Sequence, residues 1–249
     1  MKVKRLEQIE GYLKEKQICT YEEMSNFLDV SLSTIHRDVE ELVKKGIAKK
    51  IHGGAMYEKE QPKQGELYLL PYEYGKDLIA RRAVSIVEDN DIILLGSGST
   101  VAHMVPYLKS KKNITVITNN FIVIAEAMKY GFNVINIGGN FDRNVMSFVG
   151  TQSIKQLNEL NANKAFIGCN GITQNGISNV VDLEADIKKT MIRISSHTTV
   201  LAESRKFGAM SLYTICSLDE IDRLVTDEMP SKQYQKLFNE HNVVIDIAE

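Results

Sequence analysis

The sequence has few cysteines, no excess of charge of either sign and no long apolar run. Its 249 residues include three cysteines, and none of them forms a Cys-x-x-Cys pair. This spacing excludes a disulfide framework and a zinc ribbon, and it suits a reducing compartment. No stretch approaches the roughly 18 apolar residues of a membrane span, and the N-terminal residues lack the apolar region of a signal peptide. We therefore expect a cytoplasmic protein with no membrane partner.

Charge is nearly balanced along the chain. Thirty Lys and Arg residues face 32 Asp and Glu residues, for a formal net charge of -2. The balance excludes a uniformly basic protein, so any contact with nucleic acid must come from a local patch. At roughly 100–200 residues per domain, the length predicts one large domain or two unequal ones.

The sequence pattern changes near residue 60. Residues 1–57 have helical periodicity, residues 58–75 are polar and interrupted by Pro and Gly, and residues 76–249 alternate apolar runs with helical segments. We predict an N-terminal domain, a linker and a larger C-terminal domain over these ranges. The alternation predicts an α/β fold with a mostly parallel sheet. The predicted strands are Asp91–Leu95, Ile114–Thr118, Asn133–Ile137, Lys164–Gly168, Thr198–Ala202, Arg223–Thr226 and Val243–Ile247. The predicted helices between them include Thr100–Leu108, Phe121–Tyr130 and Leu183–Ser195.

Three short helices in the first 45 residues predict a helix-turn-helix. Thr20 and Glu23 have the spacing of a capping box, and Ser31 is placed to cap a third helix that begins at Leu32 and ends near Lys45. The apolar side of that helix is predicted to comprise Leu32, Ile35, Val39, Leu42 and Val43. The opposite side is polar, as expected of a recognition helix.

The polar side of the third helix suits the major groove of DNA. Arg37 can pair with a guanine, while Ser33 and Thr34 can contact phosphate or base. Lys49, Lys50 and His52 flank a Gly-Gly turn, which predicts a hairpin wing along the phosphate backbone. Residues 31–57 carry five basic and three acidic side chains, one of which is Asp38. The predicted DNA-binding residues are Ser31, Ser33, Thr34, His36, Arg37, Lys44, Lys49, Lys50, His52 and Gly53.

Charge and periodicity alone leave other interpretations of this segment open. One is the solvated face of an ordinary three-helix bundle, and another is an adaptor whose helices bind a protein partner. Binding that is insensitive to salt would favour the adaptor, because DNA contacts release counterions and weaken as salt rises.

Two motifs in this region resemble a known family. Ser-Thr-Ile-His-Arg-Asp-Val at 33–39 and His-Gly-Gly-Ala at 52–55 resemble the paired motifs of the DeoR family of bacterial sugar-metabolism regulators. That family usually has Thr-Ile-Arg-Arg-Asp-Leu and Arg-x-His-Gly-Gly-Ala at this spacing. The resemblance implies a winged helix-turn-helix that binds operator DNA. His36 stands where the family usually has arginine, which implies one weaker cationic contact or a different preferred operator.

A glycine-rich turn in the C-terminal region is a candidate anion site. Gly96-Ser97-Gly98-Ser99-Thr100 follows a predicted strand and precedes a helix, where free backbone N–H groups favour a phosphate. An ordinary tight turn is the alternative. A dinucleotide site is excluded because Val101 replaces the third glycine and no acid follows the next strand. Turns at 118–120, 138–140 and 168–171 are expected to line the same crevice.

The family resemblance continues through the C-terminal region. It is carried by Lys76-x-x-Ile79-Ala80-x-x-Ala83, Thr118-Asn119, Gly138-Gly139, Ala165–Gly168 and Lys206-Phe207-Gly208. It implies a Rossmann-like sensor domain similar to ribose-5-phosphate isomerase, with Gly96–Thr100 and Lys206 around the phosphate of a sugar effector. It also implies that Asn119, Glu184 and Lys188 lie near the sugar, although Glu184 and Lys188 are also spaced as a plain i,i+4 pair. The predicted effector-binding residues are Gly96, Ser97, Gly98, Ser99, Thr100, Thr118, Asn119, Gly139, Glu184, Lys188 and Lys206.

The candidate site lacks the groups that catalysis needs. The acid-rich turn of the isomerases is replaced by Gly168-Cys169-Asn170-Gly171-Ile172, which has no acid, so Asp182 and Glu184 remain as candidate bases without supporting groups. Gly96 stands where the family usually has aspartate, which removes a carboxylate expected to hold sugar hydroxyls. Without a placed carboxylate base, we predict a repressor rather than an enzyme, with no cofactor and no metal. The alternative is a sugar-phosphate isomerase with an appended DNA-binding head. We expect a homodimer or homotetramer, because one short helix-turn-helix usually needs a second copy to bind DNA tightly.

Overall fold

The computed structural model describes residues 2–16, 18–44, 47–51, 53–57 and 73–248. These residues form two compact units that are divided within the segment 58–72. Most of the predicted linker therefore lies outside the described residues. Its predicted end at residue 75 is wrong, because a helix already begins at Tyr74. No described helix is long and apolar enough to cross a membrane.

The N-terminal unit is a winged helix-turn-helix, as predicted. Its elements are α1 (Lys2–Lys16), β1 (Ile18–Thr20), α2 (Tyr21–Leu28), α3 (Leu32–Lys44), β2 (Ala48–Ile51) and β3 (Gly54–Tyr57). The strands form one antiparallel sheet in the order β1-β3-β2, and β1 was missed from the sequence because it is only three residues long. The strands β2 and β3 pair antiparallel, with Ile51 opposite Gly54, which matches the predicted hairpin wing.

Side chains cap the N-termini of α2 and α3. The Glu23 N–H donates to Thr20 Oγ1 at 3.1 Å and the Thr20 N–H donates to Glu23 Oε2 at 2.7 Å, which completes the predicted capping box. The Thr34 N–H donates to Ser31 Oγ at 3.4 Å at the start of α3. On the apolar side of α3, Ile35, Val39 and Leu42 are buried and Val43 is half-buried. Leu32, at the start of that side, is 43% exposed.

A buried ion pair joins α1 to α3. Arg5 Nε and Nη2 donate to the two carboxylate oxygens of Asp38 at 2.5 and 3.2 Å, and Asp38 is 1% exposed. Asp38 therefore does not reduce the surface charge of the recognition helix, although the sequence count included it among the acids of the patch. Its carboxylate fixes the orientation of α3 instead.

We expect Asp38→Asn to destabilise the N-terminal unit by about 1–2 kcal/mol. The substitution leaves the Arg5 guanidinium with a neutral acceptor in a partly buried place. The control Glu22→Gln changes the charge by the same amount at an exposed position in the first turn of α2. Urea unfolding of the full chain followed by circular dichroism measures the difference. Equal stability of both variants would contradict a structural role for the Arg5–Asp38 pair.

The C-terminal unit alternates strands and helices. Its first part comprises α4 (Tyr74–Val84), β4 (Ile92–Leu95), α5 (Ser99–Ala102), α6 (Val105–Leu108), β5 (Thr115–Thr118), α7 (Phe121–Tyr130), β6 (Asn133–Asn136), β7 (Asn140–Asp142), β8 (Ser147–Val149) and α8 (Thr151–Leu157). The second part comprises β9 (Ala162–Gly168), β10 (Gly171–Thr173), β11 (Gly176–Asn179), α9 (Asp182–Arg193), β12 (Ser195–Leu201), β13 (Tyr213–Cys216), β14 (Arg223–Thr226), α10 (Lys232–Glu240) and β15 (Val244–Ile247).

Seven of these strands form one parallel sheet, in the order β15-β14-β12-β9-β4-β5-β6. Each of the seven predicted strands overlaps one of them. Two buried apolar clusters pack on the sheet, one including Ala165 and Val200 and the other including Phe166 and Leu201, so alternate residues of β9 and β12 face opposite sides. The chain leaves β4 toward β5 and later returns to the other side of β4 as β9. A ligand is expected at such a reversal, outside the carboxyl ends of the strands.

Two smaller β structures lie outside the main sheet. The strands β10, β11 and β13 form a three-stranded antiparallel sheet, and β7 and β8 form a separate hairpin. The sequence analysis predicted neither of them. The predicted helix Thr100–Leu108 is two short helices, α5 and α6, with Pro106 in the first turn of the second.

Candidate functional site

The outer face of α3 carries exposed polar and basic side chains. Ser33, His36, Arg37 and Lys44 are exposed, and Thr34 is half-buried. Arg37 has no hydrogen-bond or ion-pair partner among the described residues, so its guanidinium is available. The Oγ atom of Ser31 lies 2.9 Å from the hydroxyls of Ser33 and Thr34, which places Ser31 within the cap of the helix.

Two predicted DNA contacts also have partners within the unit. The His36 ring lies against Tyr21 of α2, with 3.9 Å between the ring centroids. Lys50 Nζ donates to Glu40 Oε1 at 2.7 Å, which ties the wing to α3 and lowers the pKa of Glu40. Lys49 of the wing is exposed and has no such pair among the described residues.

The two glycines of the wing have different tasks. Gly53 is exposed in the turn with a φ of +77°, a conformation that favours glycine. Gly54 lies in β3, where a Cβ atom would be 2.2 Å from the carbonyl oxygen of Cys19 in β1. Gly54 therefore permits the pairing of β3 with β1. His52, the remaining predicted wing contact, lies outside the described residues.

A cavity of about 320 Å³ opens at the carboxyl ends of the parallel strands in the C-terminal unit. Its walls come from the glycine turn after β4, the turns after β9 and β12, the hairpin tip between β7 and β8, and α9. The lining residues are Lys76, Ser97, Gly98, Ser99, Thr100, Ile122, Asn144, Val145, Met146, Gly168, Cys169, Asn170, Asn179, Glu184, Lys188, Leu201, Ala202, Glu203, Arg205 and Lys206.

Gly98 is the open point of the glycine turn. It has a φ of +116°, and a Cβ atom added there would meet nothing within 4 Å. The backbone is therefore approachable from the cavity. Gly96, by contrast, is buried, and its Cβ would lie 3.3 Å from the carbonyl oxygen of Phe166. In this turn, Gly96 packs closely against β9 and Gly98 leaves open space.

Four of the predicted effector residues do not line the cavity: Gly96, Thr118, Asn119 and Gly139. Thr118 is buried and its Oγ1 donates to the Leu95 carbonyl at 2.6 Å. Gly139 packs so closely that a Cβ would be 2.1 Å from Ser153 Oγ. Asn119 is also fully buried. The turns after β5 and β6 were assigned to the crevice from their place after strands, but Thr118 and Gly139 pack within the protein instead.

Glu184 and Lys188 belong to a buried network centred on Asn179. Lys188 Nζ donates to Asn179 Oδ1 at 2.9 Å, and Asn179 Nδ2 donates to Glu184 Oε2 at 3.0 Å. No direct ion pair joins Glu184 and Lys188 among the described residues, so they are not a plain surface pair. Burial lowers the pKa of Lys188, against the opposing effect of Glu184. Asn179 was missed because nothing local marks one polar residue at a strand end as functional.

The cavity is richer in cations than in carboxylates. Lys76 pairs with Glu73 and Arg205 with Glu203, each at 2.7 Å. Lys206 is half-buried and its Nζ has no hydrogen-bond or ion-pair partner among the described residues. An anion in the cavity would therefore meet Lys206 without first breaking an existing ion pair.

Cys169 lies on the wall of the cavity but is a weak nucleophile. Burial raises the pKa of its thiol to about 11, although Lys188 and Lys206 act in the opposite direction. The thiol is protonated at neutral pH, and a protonated thiol reacts slowly. Cys169 is best described as part of the cavity surface.

Family comparisons match both units of the chain. The profile of the DeoR-like helix-turn-helix domain matches residues 5–61, and that of the DeoR C terminal sensor domain matches residues 73–228. The HTH-type transcriptional regulator IolR of Bacillus subtilis (strain 168) is 32% identical over the full length of both chains. The HTH-type transcriptional repressor GlcR of the same organism is 30% identical over 98% of this chain and 96% of the relative. The lactose phosphotransferase system repressor of Lactococcus lactis subsp. lactis is 27% identical over 98% of each chain.

Solved structures resemble part of the chain. Ribose 5-phosphate isomerase A from Methanocaldococcus jannaschii superposes with a TM-score of 0.40 and 20% identity, over 53% of each chain. The tetrameric eIF2B-beta2-delta2 complex from C. thermophilum gives a TM-score of 0.47 and 17% identity, over 67% of this chain and 60% of the other.

Proposed function

Since this chain belongs to the DeoR family of transcriptional regulators, we propose that it represses a sugar-metabolism operon and leaves its operator when a phosphorylated sugar binds. It acts in the cytoplasm as a homodimer or homotetramer, because two helix-turn-helix units reach two half-sites and double the contact area. The similarity to proteins named as regulators and repressors supports regulation rather than catalysis.

The operator contact is proposed to centre on Arg37. Its exposed guanidinium stands on the outer face of α3 beside Ser33, and the two N–H groups of a guanidinium match the acceptors of guanine in the major groove. Lys44 and Lys49 are exposed cations on α3 and the wing, and they are assigned to backbone phosphates.

The effector contact is proposed for the cavity, and the open backbone at Gly98 is the observation that carries it. A cavity of about 320 Å³ suits a small ligand, and Lys206 supplies an unpaired cation for the phosphate. Lys188, Asn179 and Glu184 offer donors and acceptors for hydroxyl groups. Binding releases DNA by linkage: an effector with higher affinity for the conformation that binds DNA poorly shifts the population toward that conformation.

Gly98→Ala tests the effector site. The methyl group would project into the space left for the phosphate, so the affinity for sugar phosphates is expected to fall about tenfold or more, with operator binding retained. Gly131→Ala is the matched control, because Gly131 also has a positive φ, of +68°, and open space around it but does not line the cavity. Isothermal titration with a panel of pentose and hexose phosphates measures both variants. An equal loss in both would show that backbone strain, and not the cavity, is responsible.

A further inference from the structure

The turn between β5 and α7 supports the glycine turn on one side of the cavity. Asn120 is 1% exposed, and its Nδ2 donates to the carbonyl oxygens of Gly96 and Gly98, each at 3.3 Å. Its Oδ1 accepts from the Ile122 N–H at 2.9 Å and so begins α7. The Asn120 amide therefore ties the turn that contains Gly98 to the start of a helix.

The neighbouring residue supports the opposite wall. The Phe148 N–H donates to the Asn119 carbonyl oxygen, and Asn119 Nδ2 donates to the Phe148 carbonyl oxygen, both at 2.8 Å. Phe148 lies in β8, which leads from the hairpin tip. The tip residues 144–146 line the cavity. Asn119 is thus hydrogen-bonded to the hairpin through both its backbone and its side chain.

The hairpin depends on such contacts for its position. It does not join the seven-stranded sheet, and it is bounded by Gly139 and Gly150, whose φ values are +150° and +99°. At its tip, Met146 has a φ of +50°, which a residue with a side chain adopts only when its surroundings hold it there. The Phe121 N–H donates to the Met146 carbonyl at 2.9 Å and provides one such contact.

We propose that Asn119 and Asn120 are positioning residues for effector recognition, and that the hairpin tip Asn144–Met146 determines specificity. Asn120 fixes the position of the glycine turn that receives the phosphate. Asn119 sets the tip that contacts the remainder of the ligand. The assignment rests on the proposed function of the cavity, and it gives Asn119 an indirect role in place of the predicted contact with the sugar.

Paired substitutions separate the two roles. Asn119→Asp and Asn120→Asp each remove the amide donor and add the same charge, and Asn136→Asp on the exposed part of β6 is the charge control. The probes are inorganic phosphate and a panel of ribose 5-phosphate, fructose 1-phosphate, fructose 6-phosphate and glucose 6-phosphate, measured by calorimetry with the full chain. Asn120→Asp is expected to lower the affinity for inorganic phosphate roughly fivefold to tenfold. Asn119→Asp is expected to leave the affinity for inorganic phosphate unchanged. It should lower the affinity for the best sugar phosphate by a similar factor and reduce the differences in affinity among the panel.

Hydrogen exchange provides a readout that needs no ligand. In Asn119→Asp, and in the uncharged variant Asn119→Ala, the amides of residues 140–149 are expected to exchange at least about tenfold faster than in the native protein. Unchanged exchange, or equal losses of phosphate and sugar-phosphate affinity in both Asp variants, would overturn the proposal. If the native protein bound neither phosphate nor any member of the panel, the proposed function would fail, and the exchange rates alone would still decide whether Asn119 holds the hairpin.

Discussion

Arg37→Ala is expected to weaken operator binding by about 1–3 kcal/mol, which is roughly a fivefold to 150-fold loss of affinity. The guanidinium is exposed on α3 and has no partner among the described residues, so it binds DNA without giving up an internal ion pair. A bidentate contact with guanine accounts for the size of the loss. The loss should be confined to sequences with that guanine, and it should disappear when the base pair is changed.

Lys49→Ala is the informative comparison for Arg37→Ala. Lys49 is assigned to a phosphate, so its loss should weaken binding to all duplexes alike. It should also reduce the salt dependence of binding by about one counterion. Both variants are measured by fluorescence anisotropy, over a range of salt, against the duplex that the native protein selects from a random library. If Arg37→Ala weakened binding to the selected and random duplexes equally, Arg37 would contact the DNA backbone, and its neighbours would recognise the bases.

Lys206→Ala is expected to leave operator affinity intact and to raise the effector concentration needed for release by about tenfold to a hundredfold. The Lys206 ammonium group has neither an ion pair nor a hydrogen bond among the described residues. A hydrogen bond to a charged group contributes about 1.5–3 kcal/mol. Lys76 and Arg205 are already paired and compensate poorly for its loss.

Lys189→Ala is the matched control for Lys206→Ala. Lys189 is exposed on α9 and pairs with Asp186 at 3.4 Å, outside the cavity lining. Release of labelled operator is titrated with the sugar phosphate that best stabilises the native protein in a thermal-shift screen. If Lys206→Ala released DNA at the native effector concentration, the phosphate would have to lie elsewhere. If it also lost operator affinity, the substitution would have altered the fold.

The wing and the cavity differ in how far the sequence predicts them. The helix-turn-helix follows from local signals: the Thr20–Glu23 capping box, the apolar side of α3 and the Gly53 turn are each set by residues a few positions apart. The seven parallel strands were predicted for the same reason, since each is a short apolar run between helical segments. The family motifs added the link from the glycine turn to a phosphorylated ligand.

Tertiary contacts decided what those local signals left open. Asp38 looks like a surface acid until α1 brings Arg5 to it from 33 positions away. Asn119 and Gly139 look like rim residues until the hairpin, whose strands are too short to predict, packs on them. By itself the sequence determined the helix-turn-helix, the seven strands of the parallel sheet and the chemical groups that the protein carries. Only the folded chain decided which groups face the cavity, because a side chain's direction depends on contacts between residues that lie far apart in the sequence.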